Sequence, residues 1–176
     1  STVPGAIASY LNKTPIILHE QNAKLGRANK FISYFAKKHT SAYESVFPIK
    51  YLKTSKTIGN PLRDDFIINH KNKNYKNNNQ TNILILGGSL GARFLNNLIP
   101  NIINNLNINS KNLNIIHQTG KNNFEYTQDL YKKINNNNNI KINIKPFIEN
   151  ISHYYKLADI IICRSGALSV SEVSLF

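Results

Sequence analysis

The sequence has few of the residues that would cross-link or anchor a chain. A single cysteine, Cys163, excludes an internal disulfide framework. No apolar run reaches the roughly eighteen residues that a membrane-spanning helix needs. The opening residues lack the basic, apolar, small-residue order of a secretory leader, so a cytosolic setting is expected. Five histidines, His19, His39, His70, His117 and His153, share no paired ligand spacing, and no metal and no cofactor are expected. Acidic residues are also scarce, 9 against 22 lysines and arginines, which leaves a formal charge of +13.

Such a charge invites a nucleic-acid partner, but the basic residues do not gather with aromatics on one face. Lysine is spread through stretches such as HKNKNYKNNNQTN (70–82) and KKINNNNNIKINIK (132–145), a drift toward Asn, Lys and Ile, and nucleic acid is not expected. Only Arg27, Arg63, Arg93 and Arg164 are arginine, each in or beside a glycine-containing segment. Where lysine is otherwise the rule, a guanidinium suggests a site that uses its planar fork.

What is present is enough for a core, with 41% apolar residues over 176 positions. Short apolar runs at 15–19, 82–86, 113–118, 140–147 and 158–164 suit buried parallel strands. Helical segments are expected at 24–38, 91–106, 122–134, 149–157 and from 166 onward. Their alternation predicts an α/β fold with mainly parallel sheets. The turn signal GNP (59–61) sets a domain junction near Arg63. The chain opens on Ser and closes on SEVSLF, which reads as the interior of a helix, so a fragment is expected.

The segment NILILGGSLGARFLN (82–96) runs from a strand through a Gly-rich turn into a helix. A dinucleotide fingerprint would want glycine where Ser89 and Ala92 stand, and an acidic residue about twenty positions on. Residues 105–115 hold neither Asp nor Glu, and no G-K-[ST] follows for a Walker loop. GGSLG does fit the G-x-S-x-G elbow of a serine hydrolase, with Ser89 as nucleophile and Asp129 and His153 following in order. The remaining possibility is an anion cradle, in which the N–H groups of Gly87 to Ala92 and the Ser89 hydroxyl face a phosphate. A second strand–turn–helix, CRSGALSVSEV (163–173), would emerge at the same sheet edge, so that two turns could hold two ends of one nucleotide. Within it, Glu172 is either the carboxylate of a capping box with Ser169 or an acceptor for a ribose diol.

Six blocks, in order, carry a family resemblance: HEQNAKLGRANK (19–30), GNPLR (59–63), ILGGSLGARFLN (85–96), HQTGK (117–121), PFIENI (146–151) and ADIIICRSGALSVSEV (158–173). Together they resemble the MurG family of glycosyltransferases, glycosyltransferase family 28. The resemblance implies a GT-B architecture of two Rossmann-like domains, both incomplete here. Residues 1–63 would be the C-terminal part of the acceptor-binding N-domain, and residues 64–176 the N-terminal part of the UDP-sugar-binding C-domain. It implies inverting transfer of N-acetylglucosamine from UDP-N-acetylglucosamine to the undecaprenyl-linked acceptor lipid I, giving lipid II, without a divalent metal. The setting implied is the anionic cytoplasmic face of the bacterial inner membrane, with peripheral attachment.

Carried over by position, Asn22 would line the sugar site, Arg63 would reach the nucleotide sugar and Ser89 would contact the diphosphate. Ile148 would present backbone to the uracil. The run Ala167, Leu168, Ser169, Val170, Ser171 and Glu172 would form the second nucleotide turn, with Glu172 on the ribose. The family's N-terminal Gly-rich loop with its histidine, and its sugar-contacting glutamine beyond SEV, have no counterpart in these 176 residues. The general base is therefore expected outside this chain, with His19 the nearest substitute, and the chain alone is expected to be inactive. A non-catalytic nucleotide-sugar-binding remnant is the alternative outside the enzyme classes. The stretch KLGRANKFISYFAKKH (24–39), with Phe31, Ile32, Tyr34 and Phe35 among Lys30, Lys37 and Lys38, is either an ordinary amphipathic helix or part of a membrane-touching patch. Cys163 is expected to be a buried, inert thiol.

Overall fold

The computed structural model describes residues 2–71, 80–88, 90–105, 112–134 and 139–176. The chain divides into two compact units, Ser1–Leu62 and Arg63–Phe176. Unit 1 contains α1 (Val3–Leu11), β1 (Ile17–Glu20), α2 (Arg27–Ile32), β2 (Lys38–Ser41) and β3 (Ser55–Thr57). Its strands form a parallel sheet in the order β1-β2-β3. Ala6, Leu18, Ile32 and Phe47 make its core.

The helix expected over 24–38 is much shorter, because Lys38 already opens β2. Neither β2 nor β3 was expected. The reason is chemical: the inward residues of KHTS are polar, and hydrogen bonding rather than apolarity makes their burial possible. His39 is buried with Nδ1 3.0 Å from Thr54 Oγ1 and Nε2 3.1 Å from the Ser33 carbonyl. α1 escapes apolar periodicity because Ala6 is its only buried residue. Its proline lies in the first turn, where the missing N–H has no helical acceptor to lose.

Unit 2 contains α3 (Asp64–Lys71), β4 (Gln80–Leu86), α4 (Arg93–Asn105), β5 (Asn112–Gln118), α5 (Phe124–Lys132), β6 (Ile140–Lys145), α6 (Ile151–Leu157), β7 (Ile160–Cys163) and α7 (Ala167–Val173). The strands are parallel throughout, in the order β6-β5-β4-β7. β4 alternates between two apolar layers. Ile83 and Ile85 face the layer built with Ile99 and Ile103 of α4 and Tyr131 of α5. Leu84 and Leu86 face the layer built with Phe66 of α3, Tyr155 of α6 and Val173 of α7. The buried residues of α4, at 96, 99, 100 and 103, keep the spacing of one helix face. α3 lies in a stretch that reads as polar, and it is anchored by Phe66, whose full burial contributes about 2–3 kcal/mol. Cys163 is partly rather than fully buried, at the rim of the second layer. Burial, then the nearby Glu172 carboxylate, pushes its thiol up, so it stays protonated. Among the described residues no helix is long and apolar enough to cross a membrane.

His117 lies wholly inside the first layer, with Nδ1 2.9 Å from the Tyr131 hydroxyl. Burial lowers its pKa to about 4. The folded state therefore holds a neutral imidazole, while the unfolded chain takes up a proton below about pH 6.5. Stability from this group is present above pH 6.5 and is lost as pH falls toward 4, on the order of 3 kcal/mol in all. The protection factors of the β5 amides, taken relative to the intrinsic exchange rate at each pH and reporting on unit 2 alone, are expected to fall over this window. In His117→Gln that fall is expected to be largely absent; an unchanged acid limb would assign the loss to other groups.

Candidate functional site

In a parallel sheet every βα turn emerges at the carboxyl edge, and the crevice opens where successive connections leave in opposite directions. In unit 2 that place is β4, with β5 on one side and β7 on the other. A cleft of about 730 Å³ lies there, lined by Leu86, Gly87 and Gly88 after β4 and by Gln118 at the end of β5. Phe147, Ile148 and Glu149 line it after β6, and Arg164, Ser165 and Gly166 after β7. Leu168, Ser169 and Glu172 of α7, Tyr155 of α6 and Arg63 complete it.

The Gly-rich turn is held by close backbone packing. Gly91 and Gly120 have φ of 80° and 82°, in the left-handed region. A Cβ on Gly91 would strike the Thr119 carbonyl, and one on Gly120 the Leu90 carbonyl. The HQTG block of β5 is thus the buttress of the turn after β4, a role that its sequence alone did not disclose. Two further bonds tie the turns together: Gln118 Nε2 donates to the Gly88 carbonyl at 3.0 Å, and the Ile148 N–H donates to Gln118 Oε1 at 2.9 Å.

Glu172 is half-buried, and the hydroxyl of Tyr155 donates to its Oε2 at 3.2 Å. Burial raises its pKa, and the Tyr155 hydrogen bond and the Arg63 guanidinium only partly offset this. The capping-box alternative is excluded by geometry. Gly166 is the N-cap of α7, so Ser169 stands at its third position and Glu172 at its sixth. Arg63 stacks over the Phe66 ring, 4.7 Å from its centroid, with Asp65 at 3.7 Å. Of the positions expected in the second turn, Leu168, Ser169 and Glu172 face the cleft, whereas Ala167, Val170 and Ser171 are not among its lining. Ser171 instead donates to the Ala167 carbonyl. Ser89 lies outside the described residues. Arg164, one of the four arginines marked by the sequence, lines the cleft. Gln118 and Tyr155 line it too and were not expected there; a buried amide and a buried tyrosine leave no mark in periodicity.

His19 and Asn22 belong to unit 1. Glu20 is buried and accepts hydrogen bonds from the Asn22 and Gly26 N–H groups at 3.0 and 2.9 Å, and from the Asn22 and Asn29 side-chain amides at 2.9 and 2.8 Å. Burial works against its charge, but these four donors outweigh it and hold the carboxyl below its ordinary value. The loop carrying Asn22 is therefore folded around one carboxylate. Both ring nitrogens of His19 are engaged, Nδ1 with Thr40 Oγ1 at 3.0 Å and Nε2 with Asn60 Oδ1 at 3.4 Å. Asn60 Nδ2 donates to the Gln21 carbonyl, which turns Oδ1 toward His19 Nε2.

The hydrolase constellation does not assemble. Asp129 lies on α5, which packs on one face of the sheet, and pairs with Lys132 at 2.9 Å. His153 lies exposed on α6, which packs on the opposite face.

The glycosyltransferase family 28 C-terminal domain matches residues 82–176. The chain belongs to that family. Over 178 aligned residues, covering 98% of the chain, it is 40% identical to a UDP-N-acetylglucosamine–N-acetylmuramyl-(pentapeptide) pyrophosphoryl-undecaprenol N-acetylglucosamine transferase of Francisella tularensis. It is 38% identical to the transferase of the same name from Tolumonas auensis over 97% of the chain. The crystal structure of MurG from Acinetobacter baumannii superposes over 99% of the family 28 chain with a TM-score of 0.72 and 36% identity. The chain spans about half the length of these relatives, 47% of the first, 46% of the second and 47% of the solved structure. The family match and this superposition put its parallel α/β units in the GT-B class.

Proposed function

We propose that the chain is the central part of an inverting glycosyltransferase that moves N-acetylglucosamine from UDP-N-acetylglucosamine to lipid I, an undecaprenyl-diphosphate-linked muramoyl pentapeptide, and yields lipid II. The observation that carries this is the cleft at the carboxyl edge of unit 2, where a glycine turn, a backbone-presenting turn and a carboxylate converge in about 730 Å³. In this reading Gly87 and Gly88, with Ser89 between that pair and Leu90, cradle the diphosphate. Ile148 presents its backbone to the uracil; with its N–H taken by Gln118, its carbonyl is the group offered to the base N3–H. Glu172, oriented by Tyr155, accepts from the ribose hydroxyls. Arg63 adds a cation near the leaving diphosphate, and Ala167 to Ser171 form the backbone of the second turn.

Departure of UDP builds negative charge on the β-phosphate. Fixed N–H groups and a guanidinium stabilise that charge without reorganising. The acceptor hydroxyl attacks the anomeric carbon from the opposite face, so a single displacement gives the β linkage. The base that takes its proton is assigned outside this chain, because His19 has both nitrogens engaged in unit 1. Asn22, on the loop folded around Glu20, is assigned to the acceptor side of the sugar.

A lipid-linked acceptor calls for a membrane-touching surface, and unit 1 carries one of fitting chemistry. Tyr10, Leu11, Phe31 and Tyr34 are exposed, while Ile32 is buried and Phe35 packs on the core, so those two lie outside the patch. Lys50 sits 4.4 Å from the Tyr34 ring centroid. Such a basic, aromatic surface suits peripheral attachment to the anionic inner face of the membrane.

Calorimetric titration of the folded chain with UDP-N-acetylglucosamine is expected to show saturable binding, weakened roughly tenfold or more in Glu172→Ala. A folded chain that binds no UDP-sugar would contradict the assignment of the cleft. Cosedimentation with vesicles containing anionic lipid is expected to fall as salt rises and to fall further in Tyr34→Ser. Salt-independent or absent binding would remove the membrane surface from the account.

A further inference from the structure

We infer that Gln118 is a positioning residue that sets the spacing between the two ends of the nucleotide cleft. The inference rests on the proposed uridine-nucleotide site and goes beyond it. Gln118 closes β5 and is 3% exposed. Its amide touches two turns, each thirty residues away along the chain: Nε2 donates to the Gly88 carbonyl at 3.0 Å, and Oε1 accepts from the Ile148 N–H at 2.9 Å. Its own carbonyl also accepts from the Gly87 N–H at 3.3 Å. One residue therefore joins the turn after β4 to the turn after β6.

The orientation of the amide is not arbitrary. An N–H must meet an oxygen and a carbonyl must meet an NH₂, so a flipped amide would lose both bonds. Nor is the residue type arbitrary. Asparagine is one methylene too short to span both turns, and an apolar side chain would leave the buried Ile148 N–H without its acceptor and the Gly88 carbonyl without this donor. The brace matters most at Gly88, where φ is +83° and no side chain fixes the peptide. Without Gln118 the glycine turn and the Ile148 turn could each fold, yet sit at the wrong separation for one ligand bridging them.

That separation is readable in binding. Uridine engages the base and ribose end alone, whereas UDP also engages the glycine turn, so the ratio of their dissociation constants measures how well the ends are matched. In Gln118→Met, of similar volume, the advantage of UDP over uridine is expected to shrink about tenfold. A role confined to fold stability would lower the competent fraction, weaken both ligands by one factor and leave the ratio unchanged, which would overturn the inference. Gln118→Asn carries the same test if the methionine variant does not fold, and the same shrinkage is expected. In the wild-type chain the Ile148 amide is expected to exchange slowly in the absence of nucleotide and to lose that protection in both variants; unaltered protection would show that Gln118 does not hold this turn. If the wild-type chain binds neither uridine nor UDP, the nucleotide-site proposal itself falls and the inference falls with it. A wild-type chain that binds both with an advantage that survives the substitutions removes the inference alone.

Discussion

The site in unit 2 depends on one constraint, the burial of β4 on both faces. Its alternating isoleucines and leucines commit Ile83 and Ile85 to one apolar layer and Leu84 and Leu86 to the other. A slip by one residue would move every side chain to the other layer and break the packing that each isoleucine and leucine makes. Register with β5 and β7 is therefore fixed, from Ile83 paired with Ile115 and Ile160 to Leu86 paired with Gln118 and Cys163. Once the strands are in register, the turns that follow them end at one level, and the crevice between them follows from topology. The cleft is thus a consequence of core packing rather than of any separate scaffold.

What the core does not supply is the fine geometry of the turns, and here polar groups take over. The Gly-rich turn is shaped by close backbone approach to Thr119 and Gly120, and the Gln118 amide ties it to the turn carrying Ile148. Glu172 is held in a partly buried position that raises its pKa, and the Tyr155 hydroxyl and the Arg63 guanidinium offset this only in part, so further donors from a ligand would favour its ionised form. Unit 1 uses the opposite arrangement. Glu20 is buried too, but four donors surround it, and its charge organises the loop from Asn22 to Asn29. A carboxylate satisfied by its own chain acts as a structural centre, whereas one left short of donors is suited to a ligand.

Much of unit 2 was legible in the sequence, for a physical reason. Parallel strands buried on both faces read as apolar runs, and β4, β5, β6 and β7 all fall on such runs, with α4, α5 and α6 between them and α7 after β7. The failures share a cause as well. β2 buries His39 and Ser41 rather than aliphatic residues, and β3 buries no residue at all, so no hydrophobic period marks them. α3 rests on the single buried Phe66 in a polar stretch. The expected helix from 24 to 38 ends at Ile32, which lies in the core, while Phe31 and Tyr34, counted toward a longer apolar face, are exposed. At the site, Arg63, Ile148, Leu168, Ser169 and Glu172 could be named from motif resemblance, and the structure gathers them in one cleft. Gln118 and Tyr155 could not, because a buried amide or phenol earns its place through partners distant in sequence. The two meanings of Glu172, cap or ligand acceptor, could be separated only by knowing where α7 begins.

The central claim is that a uridine diphosphate sugar occupies the carboxyl edge of unit 2. The most direct measurement is an amide-resolved nuclear magnetic resonance titration of the isotope-labelled chain with UDP-N-acetylglucosamine. The account predicts saturable shifts concentrated at Gly87, Gly88, Gln118, Ile148 and the segment from Arg164 to Glu172, with β6 and the outer face of α5 unmoved. Shifts centred elsewhere in unit 2, or a folded spectrum that no concentration of the nucleotide sugar perturbs, would contradict it.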